Sequence, residues 1–210
     1  GYTITTRSHI LLSLSMLLLM AAPALAGPPL ICHPFDTSSG APLIAWGKGP
    51  GWNSPEPKYQ TARLVDDVTA ILKTDAPVLT RMENLRRATI YAMRDPVVAE
   101  RLLKSVMARA LSTTTDGAAW FDAGYLIESY KQAVHMRERK GDGWAAVDET
   151  IKVDGYGFVK KAMAMTGPNA EMEFAAALMT QGAVAAAHRQ PAAAAGPGSL
   201  VVQNLAKLAY

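Results

Sequence analysis

Four histidines and one cysteine are the residues of this 210-residue chain best suited to metal or acid–base chemistry. His135 has the most suggestive neighbours. Glu128 lies seven residues before it and Glu138 three after, so a helix sets all three on one side. Histidine beside carboxylates is a metal-ligand pattern. Lys131, Arg137 and Arg139 sit on the same stretch and compete for those carboxylates, so a solvated face of helix ion pairs is the simpler reading. Di-iron bundles need Glu-x-x-His on two helices, and that tetrapeptide does not occur. His-Glu-x-x-His is also missing.

Cys32 and His33 are adjacent and form a possible metal or redox pair, but two ligands are too few for a closed zinc site. A haem attachment would need Cys-x-x-Cys-His, which this pair does not complete. A lipid-anchored cysteine is disfavoured by the bulky Leu30-Ile31 before it. A plain thiol is the first reading, and a bridge to another chain the second. His188 falls at the end of an Ala-rich helical stretch, where a positive charge complements the dipole. Nucleophilic catalysis finds no Gly-x-Ser-x-Gly. Gly47-Lys48-Gly49-Pro50-Gly51 lacks the phosphate-loop spacing and reads as a turn. Asp66-Asp67 and the Asp122/Glu128 pair have no partner arrangement. The sequence therefore points to no catalytic residue and no cofactor.

The elements that must position these residues differ sharply along the chain. Residues 27–58 hold seven prolines and five glycines, interrupted by Phe35, Trp46 and Trp52. Proline removes donors and fixes φ, so this segment reads as an extended arm. Its aromatic residues are the candidate binding anchors. Either the arm lies across the helical body with Trp46 and Trp52 as pins, or it is an exposed strap for a partner.

From Thr61 onward the apolar residues take helical spacing. Helices are expected over 63–73, 78–93, 96–111 and 117–138, with Asp95 capping and Pro96 opening the third. The fourth carries a seam of Trp120, Ala123, Ile127, Tyr130 and Val134, with a polar face opposite. The stretch 144–165 should break at Asp154-Gly155-Tyr156-Gly157 and resume near 157. One helix is expected over 169–188, a flexible Ala/Pro/Gly linker over 190–199, and a last helix over 200–210. The helical domain thus spans 59–189. Short connections imply antiparallel neighbours.

The 61-to-96 interval is 35 residues, and Trp120-Phe121-Asp122-Ala123-Gly124-Tyr125 resembles the packing of tetratricopeptide helices. That resemblance covers about a third of the chain and implies an all-α array of antiparallel helical hairpins, irregular because later spacings break the period. Ile31-Cys32-His33-Pro34-Phe35-Asp36 and Arg81-Met82-Glu83-Asn84-Leu85-Arg86-Arg87-Ala88-Thr89 are similar to exported bacterial proteins of unknown function. This second resemblance implies no activity.

Arg7 and His9 precede an apolar run from Ile10 to Met20, and Ala24-Leu25-Ala26 ends the segment in small-x-small form. Residues 1–26 therefore read as a secretory signal peptide, with an uncleaved anchor as the alternative. The expectation is an exported protein, periplasmic or secreted, with no transmembrane span after cleavage. A net charge of +3 without a long basic run argues against nucleic acid. The expected function is non-enzymatic binding or scaffolding of a protein or peptide partner. The alternatives are a metal- or redox-linked protein using Cys32/His33 or His135, and a cell-envelope hydrolase with an unrecognised site. The sequence leaves the oligomeric state open.

Overall fold

The computed structural model describes residues 29–134, 136, 145–150 and 152–208. Residues 1–26, read from the sequence as a signal peptide, and the candidate ligand His135 lie outside the described residues. Among those residues every regular element is helical. A 3-10 turn, Thr61–Arg63, leads into α1 (Leu64–Leu72), followed by α2 (Val78–Ala92), α3 (Pro96–Leu111) and α4 (Gly117–Val134). Then come α5 (Ala145–Thr150), α6 (Gly155–Thr166), α7 (Ala170–Met179), α8 (Gly182–Ala193) and α9 (Leu200–Lys207). No described helix is long and apolar enough to cross a membrane. Residues 29–60 contain neither helix nor strand.

Local chemistry explains most boundaries. Asp95 accepts from Val97 and Val98 N–H, and Pro96 fills the first position of α3, where a missing donor costs nothing. Asp154 caps α6 by accepting from Gly157 N–H. The helix therefore starts at Gly155, two residues earlier than the sequence suggested, because its glycines sit in the first turn and not the interior. Pro77 offers α2 no side-chain cap. Glu171 on α7 supplies one from a distance, accepting from Leu79 N–H at 2.8 Å. The other end of α1 is closed by Arg81, whose guanidinium donates to the Leu72, Thr74 and Ala76 carbonyls.

Three expectations need correction. The single helix over 169–188 is two helices, split at Thr180-Gln181, where Thr180 is extended and Gly182 takes φ +58°. Only glycine reaches that region without strain. The stretch 190–199 is not all linker, since α8 runs through Pro191 to Ala193. Finally, α4 has no broad polar face opposite its seam. It packs against α2, α3, α6 and α7, and Phe121, Asp122, Tyr125 and Ser129 are buried along with Trp120 and Ile127. A helix contacted from several sides cannot keep one apolar stripe.

The tightest joint in the body is the crossing of α4 and α6. A Cβ on Gly124 would stand 2.4 Å from the Gly155 carbonyl oxygen, and one on Gly155 would stand 2.6 Å from that of Gly124. The two backbones touch through paired glycines. Trp120 and Phe158 flank the crossing with ring centroids 4.8 Å apart.

Candidate functional site

α2 is the densest concentration of functional groups. Its sequence is polar, yet of its fifteen residues only Arg87 is not buried. Four of its polar side chains turn toward residues 29–58 and bond the main chain there. Glu83 Oε2 accepts from Phe35 N–H at 3.0 Å. Asn84 works in both directions, accepting from Ile44 N–H at 2.8 Å and donating to the Pro42 carbonyl at 2.9 Å. Arg86 donates to the Ile31 and Trp52 carbonyls, and Arg87 to that of Ile44. At the end of the helix the Tyr91 hydroxyl donates to the Ala45 carbonyl and accepts from Glu56 N–H. Other helices contribute similarly. Gln132 on α4 accepts from Leu30 N–H, and Asn204 on α9 bonds both the N–H and the carbonyl of Asp36.

A segment with neither helix nor ladder must satisfy its peptide groups elsewhere. Here the helical body does so with side chains. Glu83 makes the charges tolerable. It holds Arg86 by two bonds of 2.8 and 2.9 Å and Arg87 by one of 2.7 Å. Charges out of water need such pairing.

The apolar side chains of residues 29–58 complete the attachment. Leu30, Ile31, Phe35 and Ile44 are buried. Phe35 meets Phe174 of α7 edge-on at 5.8 Å. Trp46 and Trp52 are half-buried against the core. The Trp46 ring lies under the Arg86 and Arg87 guanidinium groups, 5.1 and 5.6 Å from its centroid, and meets Tyr91 edge-on. Of the three sequence-predicted anchors, Phe35 is therefore inside, while Trp46 and Trp52 retain some accessible surface. Trp46 borders an open groove of about 630 Å³ with Lys48, Asn53, Glu56 and Arg94. The glycine-rich loop there is a turn closed by a Gly47 N–H bond to the Ser54 carbonyl.

The other candidates are dispersed. Cys32 is half-buried, and burial raises its thiol pKa against the opposing pull of Arg86. That disfavours the thiolate a metal or redox reaction would use. His33 lines a separate cavity of about 240 Å³ with Asp36, Asn204 and Lys207. No group of three or more His, Cys, Asp or Glu side chains is placed to hold a metal ion among the described residues.

His188 does not cap its own helix. Its Nδ1 lies 2.5 Å from Glu173 Oε2 and its Nε2 lies 2.7 Å from the Tyr156 hydroxyl. This chain links α6, α7 and α8. Burial, then the charges of Glu173 and Asp154, raises the Tyr156 pKa, so the phenol keeps its proton.

A second buried charge cluster lies between α2, α3 and α4. Asp122 Oδ2 accepts from Arg81 at 2.8 Å and Arg109 at 2.9 Å. Burial pushes this carboxyl up to about 7, opposed by the two guanidinium groups. Asp122 Oδ1, Thr80 Oγ1, Tyr125 OH and Ser129 Oγ are buried with no hydrogen-bond partner among the described residues.

Sequence reasoning singled out the 81–89 stretch only as a resemblance and gave its residues no role. A clue was available: a helical segment with charges on every face has no dry side to bury. What could not be read was the partner that made burial feasible, main chain 40 to 55 residues away in sequence. The chain matches no known protein family, no curated protein and no solved structure.

Proposed function

We propose that this chain is an exported, non-enzymatic binding or scaffolding protein whose stacked helices contact a protein or peptide partner. The observation that carries the reading is the grip of α2 on the main chain of an extended segment. Glu83, Asn84, Arg86 and Arg87 address peptide groups and not a particular side chain. Main-chain recognition of this type supplies affinity, while a few apolar pockets supply selectivity.

An irregular tetratricopeptide-like arrangement of helical hairpins is part of the proposal. Its support is the packing of α1 on α2 and α3, and of α2 on α3 and α4. α1 and α2 thus each meet their next and next-but-one neighbours, as stacked hairpins do. Export to the periplasm or beyond rests on the character of residues 1–26. Trp46, which borders the groove with Lys48 and Arg94, and Trp52 are the aromatic contacts assigned to the partner. Aromatic residues with one wet face are common interface anchors.

In-cell crosslinking of the full chain, followed by mass spectrometry, tests this. The expected result is one reproducible protein partner crosslinked near residues 46–54 or on a single helix face. Trp46→Ala with Trp52→Ala should then reduce capture about tenfold or more, the loss of a hot-spot aromatic. Because Trp46 packs on Tyr91, the denaturation midpoint is measured in parallel. A well-behaved chain that captures no protein overturns the reading.

A further inference from the structure

We propose that the arm is exchangeable between copies: the face it covers on α2 and α4 accepts the arm of a second copy of this chain, giving an arm-swapped dimer. The inference rests on the reading that this face holds an extended chain, and it names the partner as the chain itself.

The first support is the division of contacts. The arm's main chain is bonded chiefly by the body, at Leu30, Ile31, Phe35, Asp36, Ile44 and Trp52 among others. Its own local bonds are few, such as Ala41 N–H to the Ser38 carbonyl and Gly47 N–H to the Ser54 carbonyl. A segment attached in this way makes the same contacts whichever copy supplies it. The second is complementarity. Phe35 fits against Phe174, and Asn84 clasps the chain on both sides of residue 43, so the arm of another copy is the occupant whose fit is already demonstrated.

The third is the hinge. Docking in cis depends on one turn, Glu56–Pro57–Lys58–Tyr59, closed by Tyr59 N–H donating to the Glu56 carbonyl at 3.1 Å. On the arm side Glu56 N–H is held by Tyr91, and on the body side the Tyr59 hydroxyl is held by Asp67. Opening the turn moves little but residues 57 and 58. Pro55 and Pro57 bias the residues before them toward extended backbone, which suits an opened linker. Swapped and unswapped forms share their interfaces and differ by the turn and by the effective concentration of a short tether, in the mM range.

Deletion of Pro57 and Lys58 from the full chain tests the proposal by removing the turn. Light scattering on the purified protein should show wild type as a monomer at micromolar concentration, with a dimer appearing as it approaches about 1 mM. The deletion variant should be dimeric at concentrations at least about a hundredfold lower, since its cis tether no longer competes. A folded deletion variant that stays monomeric, with an arm open to protease, overturns the proposal.

If the deletion prevents folding, two full-length variants replace it. One has a weakened arm (Phe35→Ala with Ile44→Asp), the other a weakened face (Asn84→Ala with Gln132→Ala). A one-to-one heterodimer by native mass spectrometry supports exchange, and separate monomers overturn it. Both tests use this chain alone, so their failure is distinct from failure to capture a cellular partner.

Discussion

α2 and α8 invert the usual relation between composition and burial. α2 contains Arg81, Glu83, Asn84, Arg86 and Arg87, yet fourteen of its fifteen residues are buried. α8 is largely alanine, yet only Ala185 and Ala192 are buried, with Val184 48% exposed. Alanine forms helix well and loses little by facing water, so an alanine-rich helix need not be a core helix. Charged residues can be interior when each has a specific partner. Between these two helices, burial follows the available hydrogen-bond partners more closely than it follows hydropathy.

The largest effect is expected from removing the residue on which the α2 charges depend. Glu83→Ala leaves Arg86 and Arg87 without their carboxylate and Phe35 N–H without an acceptor. The expected loss is about 3–5 kcal/mol of unfolding free energy, the cost of breaking a buried pair from one side. The exposed Arg189→Ala on α8 should change stability by less than about 0.5 kcal/mol. Denaturant titration of both variants checks the contrast. A loss at Glu83 below about 1 kcal/mol would mean that the α2 charges are solvated after all.

The glycine crossing tests whether packing elsewhere is dry and close. Gly155→Ala places a methyl 2.6 Å from the Gly124 carbonyl oxygen and 2.7 Å from Glu128 Oε1. Backbone must shift, and about 2–3 kcal/mol is the expected cost. Gly198→Ala, with nothing within 4 Å of the added carbon, is the control and should be nearly neutral. Equal midpoints for the two would rule out the close crossing.

α8 should depend on its few specific contacts. His188→Ala removes the bonds to Glu173 and Tyr156 and should cost about 1–2 kcal/mol. Because α8 buries so little, the effect should be local. Amide exchange in α8 should accelerate while α2 and α4 stay protected. Uniform acceleration across the helices would show that α8 is integral to the global fold.

The sequence made some of this legible and left the rest hidden for physical reasons. Asp95-Pro96 and the run Val98, Leu102, Val106, Ala110 declare α3, because caps and periodicity are local signals. Trp120 and Gly124 pointed to close helix packing for the same reason. The α7–α8 break was missed because Thr180-Gln181-Gly182 has only one glycine and no proline, and alanines continue on either side. The role of Asn84 was not legible, since its partners Pro42 and Ile44 lie about 40 residues away. His188 looked like a cap in sequence, and only the turn at Gly182 carries it back to Glu173.

The smallest effect is expected where a buried polar group of α2 has no bond to lose among the described residues. Thr80 sits on α2 beside Arg81, buried, with its hydroxyl lacking a hydrogen-bond partner among the described residues. Ser129 on α4 is in the same condition. An unmet buried hydroxyl carries its desolvation cost with no compensating bond, and replacing it by an apolar group of similar shape is neutral or stabilising. Thr80→Val should therefore hold or raise stability by up to about 1 kcal/mol. The neighbouring Asn84→Ala, which loses bonds to Pro42 and Ile44, should lose about 2 kcal/mol. Denaturant midpoints with unchanged slopes would decide it. A Thr80→Val variant that loses more than about 1 kcal/mol would show that the hydroxyl has a bonding partner in solution, and that the polar interior of α2 extends beyond the groups that hold residues 31–52.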